Sequence, residues 1–302
     1  MKKYKHNKFV LCYGEMLYDI FTDGRLPGGA PMNVALHLHQ HQIPTYFVSR
    51  VGDDEEGASL LKHLDQRGLS NQGVQRDSRY PSGKVYANVT QAEDVTYEIV
   101  YPSAWDFIEV TDALKHAASS AQIFLYGSLA ARGEISRATL LELLSLANNK
   151  VFDVNLRQPF YDTELIRLLL EQANIVKLNE EELSILIGWY LHKQTSEIHE
   201  DDIFQLAKKF ELDAICVTQG GKGALLFSEG KLWYQPGYSV KVADTIGSGD
   251  AFLGAFLSQM LYNKAPQECL KYGCAVGAYV ASQKGATPQV NPQIIHAYFK
   301  QT

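Results

Sequence analysis

The residues with the clearest chemical meaning lie in one late stretch, Asp244-Thr245-Ile246-Gly247-Ser248-Gly249-Asp250-Ala251-Phe252, which runs into apolar positions at Phe256, Leu257 and Leu261. The pattern predicts a turn feeding a helix. Gly247 and Gly249 permit a tight loop poor in side chains, and the free N–H groups of the first helical turn then face outward beside the positive end of the dipole. Such an end attracts anions. Asp250 would repel the phosphate of a simple binding site there, but it can take a proton from an attacking hydroxyl. Phosphoryl transfer is the simplest chemistry that uses both features. The competing reading is an ordinary first-turn acid behind a glycine loop. Of two other phosphate motifs, one fits weakly and the other is ruled out. A dinucleotide fingerprint needs a third glycine where Phe252 stands, and Lys222 in Gly220-Gly221-Lys222-Gly223 is followed by glycine rather than the hydroxyl residue of a P-loop.

Earlier segments offer partners for that chemistry. In Gly14-Glu15-Met16-Leu17-Tyr18-Asp19-Ile20-Phe21 two acids interrupt an apolar run, and an ionised Asp19 can hold two adjacent hydroxyls of a polyhydroxyl ligand. An exposed acid at a strand end fits equally well. Pro27-Gly28-Gly29-Ala30-Pro31-Met32-Asn33 leads into a helix, with glycines that admit a ligand to the backbone and an Asn33 that both donates and accepts. Arg157, in Asp153-Val154-Asn155-Leu156-Arg157, has the fork geometry for phosphate. Asn179 and Glu182, one helical turn apart, suit a magnesium ion held through water, and they equally suit an N-cap with a capping box. His37, His39 and His41 share a helix, but no acid or cysteine completes a metal set, so they are expected to face solvent.

The elements that must position these residues follow from the periodicity. An apolar first strand at 9–13 is followed by a strand at 45–52 and a helix through Leu60, Leu61 and Leu64. Strands at 123–126, 151–154 and 175–178 alternate with helices near 134–147, 163–172 and 180–187, the pattern of a parallel, doubly wound sheet. Polar residues gather just after these strands, where open α/β sheets bind ligands. Residues 84–101 switch to period two and read as a hairpin turning at 91–94, placed to act as a lid or a dimer surface. A further strand at 214–218 leads into the glycines at 220, 221 and 223, which either bend around a nucleotide or make a tight turn.

Composition narrows the classes. The 302 residues, 46% hydrophobic with a formal charge of −6, argue for an α/β protein without bulk affinity for nucleic acid or anionic membranes. Glu15 breaks the first apolar run too early for a signal peptide, and no other run approaches membrane-spanning length, so a cytoplasmic protein is expected. Cys12, Cys216, Cys269 and Cys274 are scattered among apolar neighbours and read as buried free thiols.

Three segments taken in order, 27–35, 179–182 and 244–252, resemble the ribokinase-like (PfkB) carbohydrate kinases over essentially the whole chain. The Gly14-Glu15 opening, the Pro27–Ala35 segment and Asp153–Arg157 are most similar to fructokinases. The resemblance implies a single ribokinase-like α/β domain over 1–302, with a doubly wound, mostly parallel sheet flanked by helices and a small β lid from about 16–26 and 84–101. It also implies ATP and Mg²⁺, with the γ-phosphoryl group passing to a hydroxyl of a furanose-type sugar, fructose first. Ribose, a riboside, 2-keto-3-deoxygluconate, or a silent sugar- or nucleotide-binding regulator are the alternatives. Residue by residue it makes Asp250 the base and the Gly247, Ser248 and Gly249 N–H groups the anion hole. Asp19, Gly28, Gly29, Asn33 and Arg157 fall at substrate positions, Thr218, Gly220, Gly221 and Gly223 at nucleotide positions, and Asn179 and Glu182 at the magnesium motif. Asp244, with Gly285-Ala286, corresponds to a monovalent-cation loop, making K⁺ a further candidate. Ser248 departs from the alanine of many members; because the hole uses backbone N–H, serine is compatible. A sugar already carrying phosphate would need added cations near the sugar loop, for which only Arg25 and Arg50 are at hand.

Overall fold

The computed structural model describes residues 9–22, 24–89, 95–193 and 199–299. Its strands are β1 (Val10–Tyr13), β2 (Leu17–Phe21), β3 (Gly24–Gly28), β4 (Thr45–Gly52), β5 (Val74–Asp77), β6 (Gly83–Val89), β7 (Val95–Ile99), β8 (Ile123–Gly127), β9 (Lys150–Asp153), β10 (Ile175–Asn179), β11 (Ala214–Thr218), β12 (Gly223–Ser228) and β13 (Lys231–Pro236). The helices are α1 (Ala30–Gln40), α2 (Glu55–Gln66), α3 (Asp112–Ser120), α4 (Glu134–Leu146), α5 (Thr163–Gln172), α6 (Glu180–Leu191), α7 (Glu200–Lys209), α8 (Ser248–Leu261), α9 (Pro266–Ala281) and α10 (Pro292–Tyr298). The turn expected at 91–94 lies outside the described residues.

The main sheet has nine strands in the order β13-β12-β11-β10-β9-β8-β1-β4-β5. From β11 to β5 every pairing is parallel, while β12 and β13 close one side as an antiparallel hairpin. Strands β1 and β8 are buried at every position, as a sheet covered on both faces requires. Two apolar clusters flank it. One gathers Met32, Leu36, Phe256 and Val276 from α1, α8 and α9; the other gathers Leu140, Leu169, Leu186 and Leu206 from α4 to α7. The chain first extends from β1 to β4 and β5, then returns to pair β8 with the other edge of β1. At such a reversal the connections leave in opposite directions and a crevice opens at the strands' carboxyl ends.

Over that crevice lies a second sheet of four strands, ordered β3-β2-β6-β7. Asp19 of β2 faces Leu26 on one side and Val85 on the other. Its exit is anchored by Arg132, whose guanidinium donates to the Val100 carbonyl at 2.7 Å and pairs with Asp106 through two bonds of 2.7 and 2.9 Å. Among the described residues no helix is long and apolar enough to cross a membrane. All four cysteines are buried and free.

The histidine expectation fails at His37. Helix α1 is wedged between the main sheet and α8, so its positions 31–38 are all buried. His37 is fully enclosed, its Nε2 lies 3.0 Å from the Ala286 carbonyl, and burial pulls its pKa down to about 4. A neutral imidazole therefore donates to that carbonyl. His41 is partly buried edge-on to Tyr272, with ring centroids 5.4 Å apart.

Candidate active site

Helix α8 has Gly247 as its N-cap, with φ 74°. A Cβ there would lie 2.6 Å from the Ala286 Cα, so both backbone sign and space demand glycine. The preceding loop is folded on itself. Asp244 accepts from the Ile246 N–H at 2.9 Å and from the Gly285 N–H at 3.1 Å, and the Ser248 N–H donates to the Thr245 carbonyl at 3.2 Å. That last bond occupies one of the three expected anion-hole donors within the turn, while Gly247 and Gly249 keep N–H groups that no preceding helical carbonyl can reach.

Helix α1 starts in a similar way. Its N-cap is Gly29, φ 115°, where a Cβ would run into the Glu15 carbonyl oxygen. The first turns of α1 and α8 then meet, because Asn33 Nδ2 donates to Asp250 Oδ2 at 2.9 Å across 217 residues of sequence. Gly28 does not line the cavity between them; it makes room for Asp19, whose Oδ2 occupies the place a Cβ would take.

That cavity has a volume of ≈ 710 Å³. At one end it is lined by Glu15, Asp19, Gly29, Asn33 and Asp250, roofed by Leu17, Val85, Tyr97 and Ile99 of the small sheet. At the other end Asn179, Thr218, Gly220, Gly221 and Gly223 form a groove along the ends of β10 to β12. Gly247, Ser248 and Gly249 lie between, with Arg157 also on the wall. Nearly all expected contact residues thus share one space.

Its electrostatics are acidic at the first end. Burial, reinforced by the Asp153 carboxylate, pushes Asp250 up to about 6 against the pull of Lys177, Asn33 and Arg157. Burial also raises Asp19 to about 6 and Glu15 to about 7, with Arg157 opposing both. At neutral pH Asp250 is mainly ionised yet still basic, the condition for accepting a hydroxyl proton.

Asn179 and Glu182 form the reciprocal capping box. Glu182 N–H donates to Asn179 Oδ1 at 2.8 Å, and Glu182 Oε2 accepts from the Asn179 N–H at 2.9 Å. Its other oxygen accepts from the Leu156 N–H at 3.0 Å, tying α6 to the loop that carries Arg157. Glu182 and Asp244 lie behind the cavity wall rather than on it.

Two charged side chains on the wall carry no role in the sequence reading. Glu15 is 3% exposed with its Oε2 unpartnered among the described residues, and Lys177 is 7% exposed with Nζ 3.0 Å from Asp153 Oδ1. Their signal was a charge among apolar residues, Lys177 within β10 and Glu15 in the link between β1 and β2, visible in the sequence but without direction until the elements were packed.

The pfkB family carbohydrate kinase model matches residues 6–294. The chain belongs to that family. This sugar kinase is 28% identical to the probable fructokinase-5 of Arabidopsis thaliana over 92% of its own length and 93% of the relative's. It is also 28% identical to fructokinase-1 of Oryza sativa subsp. japonica, over 95% and 96%. Among solved structures, the fructokinase of Vibrio cholerae O395 with fructose, ADP and calcium superposes with a TM-score of 0.82 at 25% identity, covering 96% of this kinase and 98% of that chain. A double mutant of the same enzyme holds fructose, ADP and potassium.

Proposed function

We propose that this kinase uses ATP to phosphorylate an uncharged furanose-type sugar, with fructose the favoured substrate. The observation that carries the reading is the hydrogen bond from Asn33 to Asp250, which joins the sugar loop to the base at the foot of one cavity. The sugar lies against Asp19, Gly29 and Asn33 under the small sheet. The nucleotide follows Thr218, Gly220, Gly221 and Gly223, with its terminal phosphoryl group at the Gly247–Gly249 backbone. Asp250 accepts the sugar hydroxyl proton as the new O–P bond forms and the bond to ADP breaks. The anion-hole N–H groups stabilise charge that grows during transfer. Arg157 neutralises the negative end of the cavity, and the small sheet excludes water that would otherwise accept the phosphoryl group.

Mg²⁺ suits the donor set only through water. Among the described residues no three His, Cys, Asp or Glu side chains gather into a metal cage, and Glu182 already spends one acceptor site of each oxygen on a backbone N–H. Its remaining lone pairs, with Asn179, fit a hydrated ion that the nucleotide phosphates help to hold. That ion would neutralise phosphate charge. A K⁺ held near Asp244 and a homodimer formed through the small sheet complete the proposal, read by potassium dependence and by mass in solution.

Fructose is favoured by the names of the relatives and by Arg25 and Arg50, the two cations near the sugar loop in the sequence, which are both engaged elsewhere. Arg50 is buried against Asp77 at 2.8 Å, and Arg25 lies 3.7 and 3.5 Å from Glu55 and Glu56, so neither reaches for a sugar phosphate. The test is ADP release with ATP and Mg²⁺ against fructose, ribose, 2-keto-3-deoxygluconate, ribosides and fructose 6-phosphate, with Asp250→Ala as the blank. Fructose-dependent turnover that the variant abolishes supports the reading. Turnover only on another sugar keeps the mechanism and moves the substrate, and ATP binding with no turnover across the panel points to a sugar outside the panel or to a silent regulator.

A further inference from the structure

We propose that Lys177 is a catalytic residue of the phosphoryl transfer, its ammonium touching the transferred group beside Gly249, and that Asp153 is the positioning residue that aims it. The proposal rests on the sugar-kinase reading above.

Three observations carry it. First, Lys177 lies in β10 directly opposite Asp153 of β9 and Cys216 of β11, so its side chain and the Asp153 carboxylate leave the same face of the sheet. The strand around it, Ile175, Val176 and Leu178, is apolar and buried. Second, the pair is almost enclosed, with side-chain exposures of 8% and 5%, but Lys177 still reaches the cavity wall. Burying such a pair seldom stabilises a fold over apolar side chains of similar size. A buried ammonium on the wall of an anion site therefore calls for a reason beyond packing. Third, a Cβ built on Gly249 would lie 3.3 Å from Lys177 Nζ. Glycine at that position lets the ammonium stand against the first turn of α8, one residue from Asp250.

An ammonium has three donors, and among the described residues Asp153 Oδ1 takes one of them at 3.0 Å. The others remain for oxygens approaching the α8 terminus. In the transfer, the sugar hydroxyl oxygen bonds to the γ-phosphorus, the bond from that phosphorus to the ADP oxygen breaks, and the hydroxyl proton goes to Asp250. Lys177 gives up no proton. It opposes charge spread over the equatorial oxygens, in a site where a fixed donor acts with little reorganisation. Asp153 holds the long, flexible lysine chain in one rotamer through Oδ1, and among the described residues its Oδ2 has no hydrogen-bond partner.

The test starts from the wild-type kinase on whichever sugar turns over. A wild-type protein with no sugar-dependent turnover overturns both the reading and the proposal. Lys177→Met strands the Asp153 carboxylate, so Lys177→Met/Asp153→Asn is made beside it to keep the pair neutral. The expected result is a folded double variant whose kcat falls about 10²–10³-fold, the scale of losing one preorganised donor. Its KM for sugar and Kd for ADP should stay within about threefold, since they measure uniform binding. Aluminium fluoride, a mimic of the transferring phosphoryl group, should tighten ADP binding with sugar in the wild type and not in the variant; a merely structural lysine would weaken both binding modes alike. A folded double variant with kcat within about threefold of wild type overturns the proposal. Independently of any variant, a wild-type crystal with sugar, ADP and aluminium fluoride should bring a fluoride within about 3 Å of Nζ. Nζ beyond about 5 Å, with Asp153 its sole partner, would sink it.

Discussion

Asp250→Asn is expected to abolish turnover and at the same time make the protein more stable above pH 6. The carboxyl is raised from its ordinary 3.8 to about 6 by burial and by Asp153. Between those two values the folded state binds more protons than the unfolded chain, so stability falls as pH rises from about 4 to 6 and stays reduced above that. About two units at ~1.4 kcal/mol each give on the order of 3 kcal/mol against the ionised carboxylate at neutral pH. Solvent reaching Asp250 from the cavity and the weakened bond from Asn33, worth ~1 kcal/mol, bring the expected gain to about 2 kcal/mol. For a chain of this length that is a rise of roughly 3 °C in Tm. Thermal melts of both proteins in matched buffers from about pH 4 to pH 8 measure it. The difference should be near zero at the acid end and grow through the interval named above. A variant less stable than wild type at pH 8, or a difference that does not vary with pH, refutes the argument that burial strains this carboxylate.

Other perturbations test the frame around it. Gly247→Ala puts a Cβ into Ala286 and forces alanine into the left-handed region, so a loss of about 1–3 kcal/mol and a fall in kcat larger than any rise in KM are expected from melts and steady-state kinetics. Arg132→Met leaves Asp106 buried at 1% exposure without its ion-pair partner and releases the Val100 carbonyl at the base of the small sheet. A destabilisation of about 3–5 kcal/mol in urea titration is expected.

The order of elements was legible because their periods are strong. The alternation from 123 to 187 names a parallel sheet, and strand-burying apolar runs and glycine punctuation place its boundaries within a few residues. Helix α6 nonetheless runs to Leu191 rather than 187, since its apolar positions continue past Ile187 to Tyr190, which packs against Phe210 with ring centroids 5.1 Å apart. His37 of α1 was misjudged for a related reason. Sequence spacing gives the angle of a side chain on its helix, but it does not say that α8 will close over His37 and leave no wet side.

By itself the sequence showed two glycine loops that each open a helix, with Asp250 inside one and Asp19 shortly before the other, and polar residues just after the strands at 151–154 and 175–178. These are local properties, set by backbone sterics and by dipoles within a few residues. Tertiary structure alone decided that Asn33 and Asp250 touch, and that Glu182 also accepts from the Leu156 N–H of the loop that carries Arg157. It also decided that Glu15 and Lys177 join the wall of the same cavity. Register and helix packing set those distances, and burial, which a linear chain does not carry, turns ordinary carboxyls into groups that hold their protons at higher pH.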